Sequence, residues 1–175
     1  MGGQSTTRDE TPAPQGGSEE EIVDAVLGAS RALVAVAARS LAGVAEDVTL
    51  PQYRTLVVLA SRGPQRVAEL ADALGVLPST ATRMLDRLVA KGLVRRTRPA
   101  NNRRSVRVAL SAPGRSLVAE VTRRRREEIT KVVHGLPLGA WDELVRALRL
   151  FADSAGEVSD RDWPWEWQEP PTANP

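Results

Sequence analysis

Ser79, Thr80, Thr82, Arg83 and Arg87 fall within nine positions of one another. If this stretch is a helix, Met84, Leu85, Leu88 and Val89 form its buried stripe. The three hydroxyls and two arginines then remain on the outer face. Hydroxyls and free backbone N–H groups at a helix start can hold phosphate, and Arg is the commonest specific partner of guanine. A second cationic group comes in Pro99-Ala100-Asn101-Asn102-Arg103-Arg104. Pro and Asn form turns, which places Arg103 and Arg104 at a hairpin tip, a shape suited to the negative potential of a narrow minor groove. The plainer readings are a solvated amphipathic helix and a merely soluble hairpin. Charge distribution weighs against both: from Arg83 to Arg107 there are nine Arg or Lys and one acid, Asp86.

Composition removes most other chemistry. There is no Cys, so disulfides, thiolate zinc sites and cysteine nucleophiles or sensors are excluded. The one histidine, His134, is too little for a metal centre and reads as structural. No acid–base pair sits on a recognisable loop, so the chain is not read as an enzyme and no cofactor is implied. The longest apolar run, Ala32 to Ala38, falls well short of the ~20 residues a membrane span needs. The start of the chain lacks the pattern of a signal peptide. The expectation is a soluble cytoplasmic protein without a membrane partner.

The elements that position these residues are legible in turn. Aromatics make up only 3% of the chain, and Ala and Leu are abundant, so the class is mainly α. Thr49 and Gln52 have the spacing of a capping box, with Pro51 in the first turn, and Arg62-Gly63-Pro64 stops that helix. Val67 to Leu74 is a short helix facing inward through Val67, Leu70, Ala71 and Leu74, and Gly75 suits the left-handed position after it. The outward-facing helix begins at Pro78 behind Leu77, which is no polar cap; Ser79 is the alternative, one residue later. Leu93 to Arg98 and Ser105 to Leu110 read as paired strands, with Val106, Val108 and Leu110 alternating toward the core. Residues 49–110 thus form a winged helix-turn-helix.

The flanks explain how that module is held. Residues 1–18 are too polar to order themselves. A helix from Glu19 to about residue 46 carries apolar residues nearly all round its middle, so it needs cover from another chain as well as its own. Ser111 caps a long helix that carries the run Arg123 to Arg126, read as a solvated face whose stems cover apolar surface. A last helix presents Trp141, Leu144, Val145, Leu148, Phe151 and Ala152 on one face and ends near Gly156. Residues 157–175 are acidic and Pro-rich but hold Trp163-Pro164-Trp165-Glu166-Trp167, too many tryptophans for an ordinary disordered tail.

In order and spacing these stretches resemble the MarR family of transcriptional regulators. The residues that carry the resemblance are Leu50 to Ala60, Val67 to Ala71, Pro78 to Arg83, Asp86 to Val89, Gly92 to Val94, Arg103 to Ser105, Leu110, Ser111 and Gly114. It covers roughly residues 19–156. The resemblance implies a two-fold homodimer, with residues 19–46 and 112–156 as dimerisation helices and two winged modules on one side. It further implies binding of double-stranded DNA at a palindromic operator, and repression released by a small aromatic or anionic effector. Two features depart from the pattern: Asn102 stands where an Asp usually steadies the wing arginines, and the Trp-rich tail has no counterpart. An effector-independent architectural or constitutive DNA-binding regulator remains the alternative reading. A protein-interaction module that has lost its DNA function is a third.

Overall fold

The computed structural model describes residues 17–97 and 106–157. Helices α1 (Glu19–Ala42), α2 (Leu50–Arg62), α3 (Val67–Leu74) and α4 (Pro78–Ala90) lead into strands β1 (Val94–Thr97) and β2 (Arg107–Leu110). Helix α5 (Ala112–His134), a 3-10 turn (Leu138–Ala140) and helix α6 (Trp141–Ser154) complete the order. The mainly α class and the winged helix-turn-helix order are as the sequence implies. The chain divides into two compact units, with the boundary between Ala35 and Val36, inside α1.

Local signals account for the element ends. Thr49 caps α2 in a full capping box: its Oγ1 accepts from Gln52 N–H, and Gln52 Oε1 accepts from Thr49 N–H at 3.1 Å. Gly75 closes α3 at φ 64, the left-handed region only glycine enters cheaply. Ser111 Oγ accepts from Gly114 N–H at 3.0 Å and so caps α5. At α4 the cap residue is Leu77, with no side-chain cap bond, and the Ser79 alternative is not taken.

The core of the second unit is aliphatic, as the scarcity of aromatics requires. Leu56 and Leu59 of α2, Leu70 of α3, Leu85 and Leu88 of α4, Val108 of β2, and Val118 and Val121 of α5 are fully buried. Each such side chain is worth roughly 1.5–3 kcal/mol on transfer from water. This cluster fixes α4 by its inner face and leaves the opposite face free.

Strands β1 and β2 pair antiparallel, with Val94 opposite Leu110 and Thr97 opposite Arg107. A third backbone partner joins them: Gln65 N–H donates to Val108 O at 3.0 Å, and Val108 N–H to Gln65 O at 2.7 Å. The expected alternation of Val106, Val108 and Leu110 fails at its first member. Val106 is 37% exposed, while Ala109, on the other face, is buried. The cause is that β2 starts at Arg107, so Val106 precedes the pleat that aims side chains inward. Val89 also departs from the expected buried stripe of α4, being 38% exposed. Leu85 and Leu88 already fill the space against α3 and the wing, and Val89 lies a further 100° round the helix.

Two helical faces are apolar and uncovered in the single chain. On α1, Ile22, Val23, Leu27, Leu33 and Val34 are exposed. On α6, Val145, Leu148 and Phe151 are exposed along one face, and no residue of that helix is buried. The run Arg123 to Arg126 is partly tied down on its own helix. Arg123 pairs with Glu120 at 2.7 Å and Glu127 at 2.5 Å, and Arg124 Nε pairs with Glu120 at 2.9 Å. The Trp-rich segment and Asn102 lie outside the described residues.

Candidate nucleic-acid interface

Helix α4 carries the candidate residues because its inner face is spent on the core. Ser79, Thr82, Arg83 and Arg87 are exposed, and Thr80 is half-buried beside Ala81. Arg83 and Arg87 are four residues apart, so their side chains leave the helix on one face, one turn from each other. Neither forms an ion pair among the described residues. Thr82 Oγ1 donates to Pro78 O at 2.8 Å, so its hydroxyl oxygen is left to accept from a ligand donor. The start of α4 keeps the Ser79 N–H free of any side-chain cap, since Leu77 offers no acceptor and is 71% exposed. An uncapped N-terminus with positive dipole attracts phosphate.

Thr80, Arg83, Met84 and Arg87 line one side of a cleft of about 280 Å³, and Thr49, Pro51 and Gln52 line the other. The structure therefore brings Thr80, Arg83 and Arg87 together on one rim, while Ser79 and Thr82 lie on open surface beside it. Thr49 and Gln52 read in sequence as a helix cap alone. Their place opposite α4 depends on how α2 packs against it, which no local signal announces. Inside the cleft wall, Thr55 Oγ1 approaches both Pro51 O, at 3.0 Å, and Met84 Sδ, at 3.1 Å. Arg103 and Arg104 lie outside the described residues.

Three ties hold α4 in register, and none of them is legible in the sequence. Asp86, the one acid in the basic stretch, pairs with Arg96 of β1 at 2.5 Å. Lys91, just past the helix end, pairs with Asp47 Oδ2 at 2.7 Å and also meets the Asp47 carbonyl. Hydrogen bonding by the Lys91 ammonium holds the Asp47 carboxyl below its usual range. Ser111 Oγ donates to Gly92 O at 2.6 Å, locking the turn after α4 to the start of α5. Opposite charge ten or more residues away is the only sequence trace of the first two. Among the described residues no group of three or more metal-ligating side chains occurs, and no helix is long and apolar enough to cross a membrane.

Residues 48–106 match the MarR family model. The HTH-type transcriptional repressor MdtR of Bacillus subtilis is 30% identical over 110 residues, which cover 63% of this chain and 69% of MdtR. The chain belongs to the MarR family. YfiV, an HTH-type regulator of the same organism, is 37% identical over 65 residues, 37% of this chain and 41% of YfiV. The match thus spans less than half the length of that relative. The crystal structure of RV1404 from Mycobacterium tuberculosis superposes with a TM-score of 0.76 at 44% identity, over 82% of this chain and 98% of RV1404. Within this MarR fold the exposed face of α4 belongs to the second helix of the helix-turn-helix.

Proposed function

We propose that this MarR-family chain is a dimeric, sequence-specific DNA-binding transcriptional regulator. In this reading it acts as a repressor released by a small aromatic or anionic ligand. The observation that carries the DNA-binding reading is the outer face of α4. Two arginines one turn apart carry no ion pair among the described residues, beside hydroxyls and an uncapped helix start, on a helix whose other face is locked in the core. Arg83 reads a base edge. Ser79, Thr80, Thr82 and Arg87 divide base and phosphate contacts, and Arg103 and Arg104 enter the minor groove. The exposed apolar faces of α1 and α6 support dimer formation, because exposed apolar surface on that scale marks interaction sites. The name of MdtR supports repression, and the family resemblance supports release by a ligand.

The test is a titration of the protein with duplexes from its own promoter region across a salt series. Phosphate neutralisation makes log K fall linearly with log salt, with a slope of about −0.9 per phosphate contact. A specific footprint with that dependence supports the reading. Absence of duplex binding at low salt sinks it and leaves a protein-interaction module. Loss of the footprint on adding aromatic acids is the expected result for an effector; persistence favours the effector-independent regulator.

A further inference from the structure

The C-terminal end of α6 is fastened to the outer face of α2. Arg62 Nη2 donates to Gly156 O at 3.3 Å. Arg54 pairs with Glu157 through both guanidinium nitrogens, one of these bonds being 3.3 Å. The Gly156 carbonyl thus meets the C-terminal end of α2, and the Glu157 carboxylate meets a residue about two turns nearer its N-terminus. Pro51, on the lip of the cleft against α4, is three residues further along the same stripe, about 4.5 Å of helix rise. The last described residue, Glu157, is thus held on Arg54, three positions along α2 from the Pro51 lip of the cleft that Arg83 and Arg87 border.

The segment after Glu157 suits that cleft. Residues 158–175 hold four acids, Asp160, Asp162, Glu166 and Glu169, against one base, Arg161, and three of the four tryptophans. The cleft pairs an apolar wall at Pro51 and Met84 with two arginines at its rim. At about 280 Å³ it falls under the ~300 Å³ where sites for drug-sized ligands begin, and a single aromatic side chain is the natural occupant. Trp163 lies six positions beyond Glu157, a reach of up to about 20 Å in extended chain.

We propose that residues 158–175 dock on the α2–α4 cleft, with a tryptophan of Trp163-Pro164-Trp165-Glu166-Trp167 in the apolar wall and the flanking carboxylates on Arg83 and Arg87. The tail then competes with nucleic acid for the same arginines. This rests on the DNA-binding reading for its consequence but not for the docking itself. An acidic, aromatic segment stands in for phosphate and base, and sequence-specific DNA displaces it where weak non-specific contact does not.

The docking is tested without DNA in the full chain carrying Trp141→Phe, where only the tail tryptophans emit. At low salt the fraction of emission from the seated tryptophan is expected to resist acrylamide quenching. That protection should fall at least about twofold in 1 M salt, where the Debye length is ~3 Å. It should fall equally in an Arg83→Glu/Arg87→Glu chain at low salt. Free quenching at low salt overturns the proposal. So does protection that survives both treatments, which would place the tail on another surface. The salt arm uses an unchanged surface, so it decides even if the double variant misfolds. In a duplex titration, a chain ending at Glu157 is expected to bind about tenfold tighter than the full chain, the ratio expected when about nine-tenths of the free protein is tail-covered. Equal affinities overturn the competition. If neither chain binds duplex, the DNA-binding reading fails, while the quenching result still decides the docking.

Discussion

At the scale of single residues, the side chains proposed to touch DNA and those that carry stability are separable on α4. Arg83 is exposed and supports no core contact, so Arg83→Ala should leave the unfolding midpoint unchanged. It should weaken operator binding by about 1–3 kcal/mol and relax one base position per half-site. A footprint of unchanged affinity and specificity would remove Arg83 from the interface. Gly114 is the opposite case. A Cβ there would overlap the Leu93 carbonyl and crowd Leu110 at 3.2 Å. Backbone cannot yield as a side-chain end does, so Gly114→Ala should cost about 1–3 kcal/mol in urea unfolding. An unchanged midpoint would show that the wing and α5 are not packed as described.

At the scale of elements, the two helices that face each other across the cleft begin in contrasting ways. Helix α2 has a complete capping box, so Thr49→Ala should lower stability by about 1 kcal/mol. Helix α4 has none. Leu77→Ser should therefore stabilise the protein by about 0.5–1 kcal/mol, read as a rise in thermal midpoint. On the proposed DNA-binding reading the same change should weaken DNA binding, because the new hydroxyl would satisfy an N–H proposed to meet phosphate. A variant both more stable and equally strong in binding would show that the start of α4 touches no phosphate. A proposed binding surface is where such departures from local consistency are expected.

At the scale of the whole molecule, ion pairs on α5 set a pH dependence. Hydrogen bonds from Arg123 and Arg124 hold the Glu120 carboxyl down at about 2. Lys131, and to a lesser extent Arg39 of α1, hold Glu128 below its ordinary range. A carboxylate whose folded pKa is depressed stabilises the fold above its unfolded pKa, and that stability is lost as pH falls. Stability should thus be flat above about pH 5 and decline toward pH 2. Both pairs are solvent-exposed, so the loss should be small and shrink with salt. A thermal midpoint that rises on acidification would contradict this. On α6, Leu148→Asp should convert a sedimenting dimer to monomer and abolish operator binding together with it. Binding by a monomeric variant at full affinity would refute the proposed dimer.

The sequence by itself determined the class, the order of elements, the caps at Thr49, Gly75 and Ser111, and the outward placement of Ser79, Thr82, Arg83 and Arg87 on α4. All of these are products of local physics: period, capping chemistry and the stiffness of Pro and Gly act over one or two turns. The structure settled the α4 cap on Leu77 and left Thr80 half-buried. Tertiary structure alone decided that Val89 and Val106 stay outside, that Gln65 joins the wing, and that Asp86, Lys91 and Ser111 brace α4 through Arg96, Asp47 and Gly92. It also set Thr49 and Gln52 across a cleft from Arg83, and the end of α6 against Arg54 and Arg62. Such pairings join residues ten to about a hundred positions apart. Their partners are set by how the aliphatic side chains of several elements pack into one core, which no single stretch of chain records.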